Sequence, residues 1–429
     1  MNRPRSGRRH KTPASKKLFH FAVFLLVILM AAALWLFFKA YLRPLLDRSP
    51  GESVPQTTAA AVETIAPSTA PATTPATTES APAETTTENV SAQQATSTVT
   101  MLCVGDNLIH NTVYQSGFGS NPWNYDHLYQ HVRDDIEAAD LAVINQETIF
   151  VQNHDNVSSY PVFGTPREIG DAVYKAGFDV ILHASNHTMD MGIQNVYDAI
   201  DYWSDKDVTV LGIHKDAADA AKPKIVEKNG IKIGMINYTY GLNGFTIPEG
   251  NEFAIDLLDN EDKMLADVAY LEENADITVA FIHVGTEYMI RPSDATKYYV
   301  ERLVSHGVDV FVGGHPHVVE PYEWYTASNG NEALVYYSLG NFISAQNQLD
   351  RLIGGMATFT IEKTTENGAT VTKVTDYDLH PLVTHTTNKT TGYAVYRMED
   401  YTDYLGSQNF FVKMTTDQLW KRWHEIIGD

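Results

Sequence analysis

The sequence predicts an α/β fold, in which helices cover the outer faces of either one central sheet or two packed sheets. From residue 98 onward, short apolar runs alternate with stretches of helical periodicity. Several runs are apolar at successive positions, as strands buried on both faces must be. After Asn341 the pattern is mostly that of strands, at residues 356–362 and 370–379. The earlier runs lie at residues 99–104, 141–145, 180–183, 208–211, 231–238, 277–283 and 308–312.

The segments between these runs carry helix and turn signals. One begins with Thr165 as the predicted N-cap and Pro166 as the predicted first helical residue. Other helices are predicted at residues 192–206, 261–272 and 294–306, and a last one at 416–427. Asn229 and Gly230 separate two strand-like runs and predict a type I′ hairpin turn.

The composition excludes several classes of function. The 429-residue chain has a formal net charge of −22 and an apolar fraction of 44%, which is ordinary for a globular protein. Most of its acidic residues lie after residue 48, so this part repels nucleic-acid phosphates and no nucleic-acid partner is expected. The single cysteine, Cys103, excludes an intramolecular disulfide framework and a cysteine-rich zinc site.

The N-terminal segment predicts a membrane anchor. Residues 21–38 are an unbroken apolar run, about 27 Å long as a helix, and we place the transmembrane helix at 18–38. The basic residues of the preceding tail, 1–17, place it in the cytoplasm. A cleaved signal peptide is the alternative, which Lys39 and Arg43 disfavour because they stand where a cleavage site would lie. The expected location is therefore the cell membrane, single-pass, with the main domain extracellular.

The next segment, residues 49–97, predicts a disordered linker. It is rich in Thr, Ala, Pro, Ser and Glu and has no Lys or Arg, so it cannot bury enough apolar surface to offset its chain entropy. The main domain is predicted at residues 98–385, followed by a C-terminal extension at 386–429. The linker would hold this domain away from the lipid.

Polar clusters follow five of the predicted strands, directly at their carboxyl ends. Open α/β sheets bind ligands at that edge. Carboxylate, amide and imidazole groups without a thiolate suit a divalent cation such as Mn, Zn or Fe. Each cluster alone also fits a structural role, such as a turn or a helix cap, but five in one topological position predict a shared site. The clusters contain Asp106, then Asn145 and Glu147, then Asn186, His187 and Asp190, then His283 and Glu287, then His315 and His317.

The last cluster, Gly-Gly-His-Pro-His, gives the strongest signal. Its glycines allow close backbone approach and its proline fixes the turn. In a plain strand, His315 and His317 would point to the same side and could share one site.

These motifs resemble the CapA family of capsule-synthesis proteins, which serve poly-γ-glutamate production. The resembling stretches are VGDN at 104, ADLAVINQET at 139, ASNHTMDMG at 184, HVGTEY at 283, GGHPHVVEP at 313 and YSLGNF at 337. That family in turn resembles the calcineurin-like metallophosphoesterases. The resemblance implies a four-layer α/β/β/α sandwich and usually a two-metal centre.

The resemblance also implies roles for individual residues. His187 would bind a substrate oxygen. Two further candidates come from the residues rather than from the resemblance: Asp190 to fix the tautomer of His187, and Glu287 as a ligand or base. Arg291, as a clamp for a carboxylate or phosphate, and Asn341 are additional candidates for substrate binding, with a surface salt bridge as the alternative for Arg291. The implied metal ligands are Asp106, Glu147 (or, less favoured, Asn145), Asn186, His283, His315 and His317.

One departure from the phosphoesterase pattern stands out. Those enzymes have Asp-x-His at the end of the first strand, whereas here Asn107 and Leu108 follow Asp106. His110 lies too far along the chain to be a direct equivalent. One metal subsite is therefore short of a ligand, and the number of metals and the activity stay open.

The resemblance implies a metal-dependent hydrolase in capsule or poly-γ-glutamate synthesis or export. Its substrate would be an anionic polymer or a phosphoester, and its partners other membrane subunits of a capsule synthase. Two alternatives remain: a non-catalytic polymer-binding subunit of a membrane synthase, and a surface phosphoesterase unrelated to capsule. Metal analysis and hydrolysis assays separate the three.

Overall fold

The computed structural model describes residues 95–428. The predicted tail, transmembrane helix and nearly all of the predicted linker lie outside this range. No helix within residues 95–428 is both long and apolar enough to cross a membrane. The last three linker residues, 95–97, are not disordered as predicted. They extend the first strand because they pair with residues 363–365 of a neighbouring strand.

The strands occur close to the predicted positions. They are β1 Ala95–Asn107, β2 Leu141–Asn145, β3 Phe150–Val151, β4 Thr165–Pro166, β5 Val180–Leu182, β6 Thr209–Leu211, β7 Lys224–Lys228, β8 Ile231–Thr239, β9 Ile277–His283, β10 Val310–Gly314, β11 Tyr322–Thr326, β12 Glu332–Tyr336, β13 Asn341–Ile343, β14 Ile353–Glu366, β15 Ala369–His385 and β16 Ala394–Arg397. The α-helices are α1 Asn111–Gln115, α2 Arg133–Ala138, α3 Glu168–Ala176, α4 Ile193–Ser204, α5 Ala217–Ala220, α6 Glu261–Asn274, α7 Asp294–Val304, α8 Leu349–Leu352, α9 Asp403–Gln408 and α10 Thr416–Ile427. Short 3₁₀ turns lie at Asp126–Leu128, His154–Asn156 and Met398–Asp400.

The strands form two large sheets, besides the small β3–β4 pair. The first has the order β16-β15-β14-β1-β2-β5-β6, with β13 also pairing β1, and the second has the order β11-β12-β10-β9-β8-β7. The central strands run parallel in both sheets: β1, β2, β5 and β6 in one, and β8, β9, β10 and β12 in the other. Antiparallel strands complete the edges. Parallel strands place their carboxyl ends at one edge of each sheet.

The two sheets pack face to face, with helices on both outer sides. Along β1, Met101 and Cys103 enter the core between the sheets, whereas Leu102 and Val104 enter a second core with helices α1 to α4. Along β9, Phe281 faces the core between the sheets and Ile282 faces helices α6 and α7. This alternation is what the two-residue period of a strand requires. The prediction of strands buried on both faces is confirmed for the described residues, and of the two arrangements that the sequence left open, the structure has two packed sheets.

Two local predictions had opposite outcomes. Asn229 and Gly230 both have positive φ, at 51° and 77°, and join antiparallel β7 and β8, so the predicted hairpin turn is confirmed. The predicted N-cap at Thr165 is wrong. Thr165 lies in β4, where its hydroxyl contacts the Thr148 hydroxyl at 2.7 Å, and helix α3 begins only at Glu168. The pairing of β4 with β3 places Thr165 in a strand despite the helix signal in its local sequence.

The residues after 385 pack into the same body as the rest of the described chain. Strand β16 extends the first sheet beside β15. Helix α10 occurs where the sequence predicts it and buries Leu419, Trp423 and Ile426 in the core between the sheets.

Candidate metal centre

Five strands deliver their polar ends to one place. Strands β1, β2 and β5 come from the first sheet, and β9 and β10 from the second. The two sheets approach closely at Gly314, where an added Cβ would lie 3.1 Å from Asp106 Oδ1 and 3.4 Å from His283 Nδ1. A side chain here would require these groups to shift by a few tenths of an ångström. The sequence prediction of convergence at the strand ends is thereby met in the geometry.

Asp106, Glu147 and His317 form one buried group. His317 Nδ1 lies 2.9 Å from Asp106 Oδ2, and His317 Nε2 lies 3.8 Å from Glu147 Oε1. One potential ligand atom from each of the three residues lies within 4.8 Å of the others. All three side chains are almost completely shielded from solvent. The spacing allows all three to contact one cation.

Glu147 is the most exceptional member of this group. Both of its carboxylate oxygens are buried, and neither has a hydrogen-bond partner among the described residues. Burial and the neighbouring Asp106 raise the pKa of Glu147 well above its usual value. Such a carboxyl destabilises a fold unless something compensates it. A bound divalent cation is a natural compensation, so the residues present fit a metal.

A second group shares His317 with the first. Potential ligand atoms of Glu287, His315 and His317 also lie within 4.8 Å of one another. Glu287 is exposed, whereas His315 is buried, and its Nδ1 has no hydrogen-bond partner among the described residues. His317 thus belongs to both groups of potential ligands. The first group is buried, whereas the second includes the exposed Glu287.

Asn186 and His283 adjoin the first group. His283 Nε2 lies 2.8 Å from Asn186 Oδ1 and 3.8 Å from Glu147 Oε1. Asn145 Nδ2 donates a hydrogen bond of 2.8 Å to Asp106 Oδ1. Of the two candidates at the carboxyl end of β2, Glu147 therefore lies in the cluster of ligand atoms, and Asn145 orients Asp106.

The ionisable groups of the cluster shift one another's pKa values. Burial alone would lower the pKa of His317, but the carboxylates of Glu147 and Asp106 raise it to about 9. Burial would likewise raise the pKa of Asp106, yet its hydrogen bond and ion pair with His317 keep it below the usual value. The pKa of His315 falls to about 4 because it is buried and close to His317. In the absence of a cation, a proton on His317 therefore offsets the buried negative charge.

His187 and Asp190 form a pair beside this cluster. His187 Nδ1 lies 2.7 Å from Asp190 Oδ2, which also accepts a 2.7 Å hydrogen bond from the Phe163 backbone N–H. The carboxylate orients the imidazole through Nδ1 and leaves Nε2 as the nitrogen available to another group. The arrangement is the one expected from sequence, and the catalytic roles of both residues stay predictions.

Asn243 is a contributor that sequence reasoning missed. Its Oδ1 accepts a hydrogen bond of 3.2 Å from Asn186 Nδ2, and its Nδ2 lies 3.3 Å from His187 Nδ1. Asn243 therefore links a predicted ligand to the histidine–aspartate pair. It follows the carboxyl end of β8, so the strand-end argument, applied to one more strand, would have found it.

Arg291 requires a correction. Its guanidinium donates hydrogen bonds to the backbone oxygens of Ile426 at 2.6 Å and Glu425 at 3.2 Å. These are carbonyls at the end of helix α10, where a cation is favourable. The structure thus gives Arg291 a helix-capping role in place of the substrate-binding role expected from the sequence.

Asn341 orients the histidine loop. Its Nδ2 donates to the backbone oxygens of His317 at 3.1 Å and Arg351 at 3.0 Å. The side chain therefore fixes the loop that carries His317, and its expected role at the substrate stays a prediction. His110 belongs to neither group of potential ligand atoms, and its Nδ1 lies 3.2 Å from the Leu108 carbonyl oxygen and 3.3 Å from the Ala345 backbone nitrogen.

The backbone of the Gly-Gly-His-Pro-His segment departs from a plain strand. Strand β10 ends at Gly314, and His315 and His317 have φ of 96° and 59°. Non-glycine residues rarely occupy this left-handed region, and they do so mostly where function or packing demands it. The segment is therefore not a plain strand, but the prediction that His315 and His317 could share one site agrees with their ligand atoms lying within 4.8 Å of each other. A strained turn, rather than a plain strand, presents the two histidines.

Glu320, which closes the same motif, gives a stability prediction. It is fully buried, neither carboxylate oxygen is hydrogen-bonded within residues 95–428, and burial raises its pKa to about 8. Above a pH of about 4.3 the unfolded chain releases a proton that the folded protein keeps, so the free energy of unfolding falls as pH rises toward 8. We expect Glu320→Gln to reduce this fall by up to roughly 1.4 kcal/mol per pH unit. Urea denaturation at several pH values with EDTA measures it, and equal pH dependence in both proteins would contradict it.

Cavity volume would not have located this site. A cavity of about 610 Å³ lies elsewhere, against Phe359, Tyr377 and Trp420, and none of the predicted site residues lines it. The chemistry of the side chains, rather than the volume of a pocket, distinguishes the cluster at the strand ends.

The described residues thus define an α/β domain with a candidate metal centre of carboxylates, histidines and an asparagine. Residues 100–346 match the family described as bacterial capsule synthesis protein PGA_cap. This match covers more than half of the chain, and the protein belongs to that family. The family resemblance expected from the sequence motifs is confirmed.

Two relatives illustrate the similarity. The chain is 27% identical over 264 residues to the PGA biosynthesis protein CapA of Bacillus subtilis (strain 168), covering 59% of this chain and 66% of that protein. It is 26% identical over 256 residues to the capsule biosynthesis protein CapA of Bacillus anthracis, covering 58% and 60%. The match spans slightly less than two thirds of these relatives.

Solved structures show a more distant likeness. A Staphylococcus aureus protein described as a 5′-nucleotidase, in complex with alpha-ketoglutarate, is similar with a TM-score of 0.45 and 15% identity, over 68% of this chain and 55% of that one. The NAD nucleotidase of Haemophilus influenzae has a TM-score of 0.41 and 10% identity, over 77% and 60%. Both scores lie below 0.5, so the architecture given above stands on the sheets and helices themselves.

Proposed function

We propose that this protein is a membrane-anchored, metal-dependent hydrolase that acts outside the cell in capsule or poly-γ-glutamate synthesis or export. Its substrate would be an anionic polymer of the envelope or a phosphoester. Family membership supports the biological setting. The apolar run at residues 21–38 and its basic flank support the anchor, although they lie outside the described residues.

The observation that carries the metal-dependent part is the state of Glu147. A fully buried carboxyl without any hydrogen bond among the described residues stands beside a second carboxylate, Asp106, and a histidine. Two ionised carboxylates this close repel each other, yet the protein has both of them at this buried position. A cation site explains why both remain.

Six predicted ligands would hold the metal, namely Glu147 and five residues around it. A divalent cation there would supply Lewis-acid activation of water and of the scissile bond. Oxygen and imidazole donors favour Mn, Zn or Fe. The other five are Asp106, Asn186, His283, His315 and His317.

His187 would act on the substrate itself. With Nδ1 held by Asp190 at 2.7 Å, its Nε2 can donate a proton to a leaving group or stabilise a developing negative charge. The Phe163 backbone N–H, which donates to Asp190 Oδ2, steadies the pair. Glu287, exposed at the rim of the same cluster, would complete the second group of ligands or bind a proton.

A non-catalytic role, in which the site grips a polymer for a membrane synthase, is the second candidate. The specific observation that favours it is the missing histidine of the first strand. Leu108 stands there and is buried, so this position offers no ligand. A site with fewer ligands can bind an anionic chain without hydrolysing it.

Metal analysis and hydrolysis assays on the full-length chain, purified in detergent, decide between these roles. We expect bound divalent metal, and turnover of an aryl phosphodiester or of γ-polyglutamate that is lost in His317→Ala. Turnover of the phosphodiester alone would favour a surface phosphoesterase unrelated to capsule. Bound metal without turnover of either substrate would favour the polymer-binding role, and a protein that binds no metal would overturn the proposal.

A further inference from the structure

A single arginine, Arg351, lies against the candidate metal centre. Its guanidinium carbon stands 3.4 Å from the centre of the Tyr288 ring, and that ring is 6.2 Å from the ring of His317. Its backbone carbonyl accepts a hydrogen bond from Asn341, whose amide also donates to the His317 carbonyl. Arg351 is thus tied to the histidine loop by both its side chain and its main chain.

The guanidinium has no carboxylate partner within residues 95–428. No hydrogen bond or ion pair to it is found in this range, and its Nε is buried without a partner. Among the described arginines, Arg133, Arg302, Arg397 and Arg422 each pair with a carboxylate. Within residues 95–428, no other residue of the candidate metal centre forms a hydrogen bond or an ion pair with a lysine or arginine side chain.

Stacking on an aromatic ring leaves the edges of a guanidinium free. Arginine in this arrangement keeps its N–H fork available for a planar or tetrahedral oxyanion, to which it binds in a bidentate manner. Tyr288 is 40% exposed, so a ligand from solvent can reach this place. The ring also limits the motion of the side chain, which lowers the entropy lost on binding.

We propose that Arg351, held by Tyr288, is an anion-binding subsite beside the metal centre. It would take a second phosphate or carboxylate group of a substrate whose first anionic group lies at the metal. This deepens the proposed function, on which it rests, because it specifies a substrate with at least two anionic groups. It also assigns the clamp task that the sequence had suggested for Arg291 to a different residue.

Calorimetric titration of the Mn²⁺-loaded full-length chain tests the subsite. Two probes, methylenediphosphonate and γ-glutamyl-glutamate, each carry at least two anionic groups, are called the two-group probes below and separate a phosphate from a carboxylate preference. The third probe is inorganic phosphate, which has one anionic group. We expect Arg351→Gln to weaken binding of the preferred two-group probe by about tenfold while binding of inorganic phosphate changes little. Arg351→Lys should recover part of the loss, because it restores the charge without the fork.

Two variants control for structure. Arg167 also lies near a tyrosine ring, 5.8 Å from that of Tyr202, and also has a buried Nε without a partner in the described residues. Arg167→Gln should leave binding of all three probes unchanged. Tyr288→Leu, which removes the ring, should weaken binding of the same probe as Arg351→Gln.

Two results would overturn the inference. The first is that Arg351→Gln binds both two-group probes as tightly as the wild type does. The second is that the wild type binds neither of these probes more tightly than inorganic phosphate. The metal content of each variant is measured in parallel. A wild type that does not retain metal would count against the proposed function. Retained metal together with unchanged probe binding in Arg351→Gln would count against the subsite alone.

Discussion

Glu147→Gln is expected to abolish metal binding and, in the same protein, to stabilise the metal-free fold. The carboxyl is fully buried without a hydrogen-bond partner among the described residues, close to Asp106, so burial and charge repulsion both act against its ionised form. Removing it should raise the free energy of unfolding in EDTA by about 1–3 kcal/mol. Loss of a ligand should lower metal affinity at least about 100-fold. Urea denaturation with EDTA and metal analysis after dialysis measure the two effects.

The control for this prediction is a second buried glutamate. Glu320 also has both oxygens buried and without partners in residues 95–428, but it lies outside both groups of potential ligands. Glu320→Gln should therefore stabilise the fold near neutral pH and leave the metal content unchanged. If Glu147→Gln retained metal, or destabilised the metal-free protein, the assignment of Glu147 as a ligand in a strained site would be wrong.

His187→Gln should lower turnover by roughly 10²–10⁴-fold without changing metal content, a range typical of losing a positioned general acid or base. The reason is that its Nδ1 is held by Asp190 while Nε2 stays available to substrate. Asp190→Asn should also lower turnover, because an amide fixes the tautomer of the imidazole less well than a carboxylate does. Steady-state kinetics on the substrate that the wild type hydrolyses, together with metal analysis, gives both quantities.

The matched control is another buried histidine–aspartate pair. His214 Nε2 lies 2.7 Å from Asp256 Oδ2, the same distance as in the His187–Asp190 pair, but neither residue belongs to the candidate centre. Asp256→Asn should leave turnover near the wild-type value. Full activity in His187→Gln would remove this histidine from the mechanism, and metal loss in that variant would make it a ligand instead.

The strand-end argument predicted most of the site from local patterns. A buried strand is recognisable from its apolar run, and the residues after it are fixed by the chain itself. Asp106, Glu147 and His317, 211 positions apart at the extremes, could be assigned to one edge because parallel strands share their direction. The spacing of His187 and Asp190, three residues apart, already allowed their contact.

Other features depend on partners that are distant in sequence. Thr165 has every local property of an N-cap, yet pairing with β3 places it in a strand. Arg291 follows a candidate motif, yet its guanidinium donates a hydrogen bond to a carbonyl at the end of a helix more than 130 residues later in the chain. Arg351 carries no motif at all, and only the packing of Tyr288 beside His317 gives it a place near the site.

The sequence by itself determined the alternation of strands and helices, the two-sided burial of the central strands and the set of polar groups at their ends. Hydrophobic periodicity and chain direction suffice for these, because both are local properties of the backbone. The tertiary structure alone decided that Glu147 rather than Asn145 joins the ligand cluster, that His315 and His317 lie in a strained turn, and which arginine faces the site. Those outcomes depend on distances between side chains from different strands, which packing of the two sheets sets and no local pattern encodes.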